Sequence, residues 1–94
     1  MDAKQLFDDV SQRASQQTTQ AYSTSFSLGI ACLNANIKNP IYGIYGFVRF
    51  ADEIVDSFHD FNKKELLEEF RQDTFKAIDR GISLNPILNS FQHA

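Results

Sequence analysis

The chain has 94 residues, 43% hydrophobic and 22% charged, with a net charge of −3, a composition that allows at most one small domain and excludes a disordered segment. Its nine Lys and Arg form no basic run, which excludes a nucleic-acid partner held by counterion release. A single cysteine, Cys32, excludes an internal disulfide and a cysteine-built zinc site.

The chain opens on "MDAKQLFDDVSQ", which carries acids where a secretory signal carries bases, so a cytoplasmic protein is expected. Residues 3 to 21 place Ala3, Leu6, Phe7, Val10, Ala14 and Ala21 at helical spacing, which predicts an amphipathic helix capped by Asp2, with a Gln-rich outer face. "YSTSFS" (22–27) is rich in hydroxyls that compete for backbone hydrogen bonds and predicts a break or a helix start. "LGIACL" (28–33) then reads as a short buried run in which Cys32 is a small hydrophobe. "NANIKNP" (34–40) reads as a loop, with Asn39 as N-cap and Pro40 as first residue of a helix running to about Phe58.

The run from 41 to 58 is broken by charge short of the ~20 residues of a membrane span, so the protein at most rests against a membrane surface. Asn62 and Glu65 form an Asn version of the capping box for a third helix. That helix presents Leu66, Leu67, Phe70, Thr74, Ala77 and Ile78 on one face and ends at Gly81 in the left-handed conformation. Asn85 and Pro86 open a last helix with Ile87, Leu88 and Phe91, which makes barely two turns before Ala94. A partial domain over residues 1 to 94 is therefore expected. No stretch alternates with period two, so the class is all-α.

The helix after Pro40 carries the informative pattern. At 100° per residue Tyr45, Arg49, Asp52 and Asp56 share an arc of roughly 60°, with Glu53 near its edge. Ile44, Phe47, Phe50, Ala51, Ile54, Val55 and Phe58 cover the rest, which predicts a narrow polar line on a buried cylinder. The line is either a thin solvated stripe, with Arg49 paired to Asp52, or a strip facing a cavity inside a helical bundle. In the second case two carboxylates one turn apart suit Mg²⁺, with Mn²⁺ an alternative, and Arg49 suits phosphate oxygens. An acid pair beside an Arg on an apolar wall points to an anionic head on an apolar tail, brought in by a metal that reverses the carboxylate repulsion. Gly43 and Gly46 are expected to admit either a neighbouring helix or a ligand chain.

"YSTSFSLG" followed by "IYGIYGFVRFADEIVD" closely resembles the N-terminal part of the squalene and phytoene synthase family, over residues 22 to 29 and 41 to 56, and "DEIVD" leans toward the phytoene branch. The resemblance implies the N-terminal helices of an all-α isoprenoid-synthase fold, and an enzyme that joins two prenyl diphosphates head to head through a cyclopropyl intermediate. It implies Asp52 and Asp56 as the first metal-binding aspartate motif. Arg49 and Tyr45 become diphosphate contacts, and Ser23 and Ser25 hydrogen-bond donors facing them; without the resemblance the two serines read equally well as turn caps. Tyr22 stands where some relatives have His. Geranylgeranyl diphosphate to phytoene, in carotenoid biosynthesis, is the leading reaction, with squalene or dehydrosqualene formation next. Relatives need a second aspartate motif on a later helix, and this chain has none, so the 94 residues are expected to hold half a site and to be inactive alone. A different class of reading is a non-catalytic helical interaction module, whose 41–58 helix docks on another chain while its charges fix the register.

Overall fold

The structure is a computed structural model describing residues 2–94, and among these it contains five helices and no strand. They are α1 (Ala3–Tyr22), α2 (Thr24–Ala31), α3 (Ala35–Asp56), α4 (Lys63–Arg80) and α5 (Pro86–His93). The all-α expectation holds. None of these helices is long and apolar enough to cross a membrane.

Local chemistry sets most boundaries. Asp2 and Gln5 form a reciprocal capping box at the start of α1, with Asp2 Oδ1 accepting from Gln5 N at 2.8 Å and Gln5 Oε1 accepting from Asp2 N at 2.9 Å. Asn62 caps α4 by accepting from Glu65 N, Gly81 ends it at φ 72°, and Asn85 accepts from Ile87 N and Leu88 N at the start of α5. Lys63 at the head of α4 donates to Val55 O at 2.6 Å, which places an amine on the negative end of α3.

One boundary differs from expectation. Asn34, not Asn39, is the N-cap of α3, its Oδ1 accepting from Asn36 N at 3.1 Å, and Pro40 lies inside the helix. Pro40 cannot donate to the Asn36 carbonyl, but α1 supports the segment where Gln12 Nε2 donates to Asn39 O at 2.9 Å. The earlier cap and this tertiary bond override the Asn-Pro signal.

The core is a seam between α1, α3 and α5. Here α1 does not present the apolar face its sequence suggests. Leu6 and Val10 are exposed, whereas Ser11, Ser15 and Thr19 are fully buried, on a face roughly 120° away. Small side chains are selected because the backbones approach closely: a Cβ on Gly43 would meet Ser90 O at 2.9 Å, and one on Gly46 would meet Ser15 Oγ at 3.1 Å. The two glycines thus admit neighbouring helices.

Asn89, 0% exposed, ties the seam together, its Nδ2 donating to Asp8 Oδ1 and Ser11 Oγ, both at 3.0 Å. Its Oδ1 accepts from Ser83 N at 3.2 Å, so its hydrogen-bonding capacity is well used. The hydrogen bond from Lys4, then that from Asn89, holds the Asp8 carboxyl below its ordinary pKa of 3.8. Beside the seam the half-buried Phe47 stacks on Phe91 at 4.0 Å and on Phe70 at 5.3 Å between ring centroids, joining α3 to α4 and α5.

The molecule measures 38 × 32 × 16 Å, and its thin dimension holds no more than two packed helices at the usual ~8–10 Å between axes. Each layer therefore shows a face to solvent. Leu28, Leu33 and Cys32 are exposed, so "LGIACL" is not a buried run in this chain and Cys32 is not a core hydrophobe; of that stretch only Ile30 is buried. Ile44, Val55 and Phe58 are exposed likewise, and α3 is not the nearly buried cylinder expected. On α4, Thr74 and Ala77 are buried but Leu67 and Ile78 are not.

Candidate functional site

The polar strip of α3 faces the junction of α1 and α2. That junction is a single residue: Ser23 N donates to Thr19 O at 2.8 Å, ending α1, and Ser23 Oγ accepts from Phe26 N at 3.2 Å, starting α2. The capping expectation for Ser23 is met, and its own O–H remains a donor. Ser25, in the first turn of α2, is exposed.

Two contacts bring the junction against the strip. Phe26 meets the Tyr45 ring edge-to-face at 5.0 Å, and the Arg49 guanidinium carbon lies 5.2 Å from the centre of the Tyr22 ring. Tyr22, Phe26, Tyr45 and Arg49 thus form one cluster, with the Ser23 cap between Tyr22 and Phe26 in the chain.

Arg49 does not pair with Asp52. Its Nη2 lies 2.9 Å from Glu53 Oε1, and the two side chains keep only 24% and 16% of their surface. Arg49 lies against the Tyr22 ring and takes the partner a full turn on, at i+4, rather than the one at i+3. Arg49 Nε is enclosed without an acceptor. Glu53 was legible only as a residue near the strip's edge, although Arg-x-x-x-Glu spacing carried the signal.

Asp52 and Asp56 are exposed one turn apart on the same side of α3 as Tyr45, and among the described residues neither makes an ion pair or side-chain hydrogen bond. No group of three or more His, Cys, Asp or Glu among the described residues is placed to hold a metal. The donor set is two uncommitted carboxylates, which fits Mg²⁺, an ion that takes one or two protein carboxylates and completes its shell with phosphate oxygens and water.

Two aromatic residues of the 41–58 segment lie outside this cluster. Phe50 lines an apolar hollow of about 430 Å³ with Ala14, Thr18, Ala21, Tyr22 and Ile87. Phe58 meets the Phe61 ring edge-to-face at 6.4 Å and stays partly exposed.

Residues 19–94 match the family model for squalene/phytoene synthase, a stretch that contains the Ser23 junction, the strip and every helix from α2 to α5. Neither a curated protein nor a solved structure matches the chain.

Proposed function

Because the chain belongs to the squalene/phytoene synthase family, we propose that the α2 start and the α3 strip form the diphosphate-binding half of a head-to-head prenyl synthase site. The family is one of prenyltransferases that use prenyl diphosphates. The observation that carries the reading is the meeting of Tyr22 and Phe26 with Arg49 and Tyr45, which sets the chain segment of Ser23 and Ser25 against the strip.

In this reading Arg49 binds a diphosphate oxygen and stabilises charge on the departing pyrophosphate, an electrostatic contribution that grows as water is excluded. Tyr45, braced by Phe26, and the O–H groups of Ser23 and Ser25 donate hydrogen bonds to the same headgroup. Asp52 and Asp56 would hold Mg²⁺, which when bound supplies Lewis-acid polarisation of the diphosphate. The same reading requires a second acidic pair to complete the site, so the 94 residues by themselves are expected to be inactive. The "DEIVD" motif favours geranylgeranyl diphosphate as substrate and phytoene as product, ahead of squalene or dehydrosqualene.

The test is product formation by the complete protein with Mg²⁺. Asp52→Asn and Asp56→Asn are each expected to lower turnover by about 10²–10³-fold, while the helical signal and melting temperature stay in place. Full turnover in both variants refutes the reading. Phytoene appearing without a nicotinamide cofactor supports the finer assignment, whereas a requirement for reduction moves it to squalene.

A further inference from the structure

We infer that Glu53 is a positioning residue for Arg49, clamping the guanidinium at its edge while the Tyr22 ring supports its face. The inference rests on the reading of Arg49 as a diphosphate contact. It divides the three acids of "DEIVD" by role. Glu53 Oε1 is committed to Arg49 Nη2 at 2.9 Å and its side chain is largely covered, whereas Asp52 and Asp56 are exposed and uncommitted.

The charges divide in the same way. Arg49 and Glu53 cancel each other, and Asp52 with Asp56 leaves two negative charges, matching one divalent cation. A third acid free at the cation would overshoot that balance. Spent on Arg49, it fixes a long side chain that otherwise samples many rotamers, so the fork meets its anion preorganised. The Tyr22 contact at 5.2 Å and the enclosed Nε hold the guanidinium on other sides and leave only part of the fork to a ligand.

The experiment is a double-mutant cycle on the complete protein, read by calorimetric titration with inorganic pyrophosphate in Mg²⁺ and by melting temperature. Glu53→Ala is expected to weaken pyrophosphate binding by about 10–100-fold, the range for losing a residue that orients a ligand-binding side chain. Glu53→Gln keeps an acceptor oxygen of the same reach and is expected to recover part of the loss, and it carries the test should the alanine variant not fold. In an Arg49→Ala background the further loss from Glu53→Ala or Glu53→Gln is expected to be about twofold or less, because the two residues act as one unit. An undiminished loss in that background means Glu53 contacts the metal or the anion directly and overturns the inference. Weak binding by Arg49→Ala beside unchanged binding by both Glu53 variants overturns the inference alone. Unchanged binding by a folded Arg49→Ala overturns both the inference and the diphosphate role of Arg49.

Discussion

The two long sides of α3 are built from different materials and end differently. One side, carrying Gly43 and Gly46, is closed: α1 and α5 come so near that only Ser15 and Ser90 fit opposite, and the buried Asn89 amide bonds to Asp8 and Ser11. The other side, carrying Tyr45, Arg49, Asp52 and Asp56 with Ile44, Val48 and Val55 beside them, is open apart from the contacts at Tyr22, Phe26 and Glu53. The difference teaches that a single helix can act as a wall whose inner side is fixed by shape and whose outer side is reserved for charge. Rigidity on the glycine side holds the strip in register.

The sharpest way to break the closed side is at Asn89. Asn89→Ala removes the acceptor of Ser83 N and a donor to Asp8, and an unsatisfied buried group costs ~1–3 kcal/mol before any cavity forms. Urea denaturation is expected to show a loss of about 2–4 kcal/mol. A loss of a few tenths would mean that the seam is wet and the contrast between the sides overdrawn.

The glycines separate two kinds of closeness. A methyl at position 43 meets a backbone oxygen of α5 that moves only with its helix, so Gly43→Ala is expected to destabilise by about 1–2 kcal/mol even after the better helix propensity of Ala is counted. A methyl at position 46 meets the Ser15 hydroxyl, which has no hydrogen-bond partner to lose on rotating. Gly46→Ala is therefore expected to fall within about 1 kcal/mol of the parent, of either sign. Equal losses at the two positions in the same denaturation series would contradict this account.

What was legible in the sequence follows the same division. Caps are short-range chemistry, so Asp2, Asn62, Gly81 and Asn85 could be read directly, and the strip on α3 followed from spacing. The start of α3 was misplaced because Asn34 competes with Asn39 and because Gln12, far away in the chain, decides between them. The inner face of α1 was misplaced because apolarity is a poor guide where backbones nearly touch: that face carries Ser11, Ser15 and Thr19, with Ser15 small enough to lie against Gly46, and Leu6 and Val10 are outside. Arg49 was assigned to the strip, but spacing leaves both Asp52 at i+3 and Glu53 at i+4 within its reach, and only the structure shows that it takes Glu53.

The smallest expected effect lies on the open side. Val48 is 46% exposed and aligned on α3 with Ile44 and Val55, away from the glycines. Val48→Thr keeps its shape and exchanges a half-wet methyl for a hydroxyl that water can solvate, so the stability of this chain is expected to change by about 0.5 kcal/mol or less. Were the same substitution to cost 1.5 kcal/mol or more, about the penalty of a polar group buried without a partner, Val48 would have to be covered in solution. Concentration dependence of the loss would then assign the cover to a second copy of the chain. A wall that is rigid on one side and indifferent to substitution on the other requires the small value.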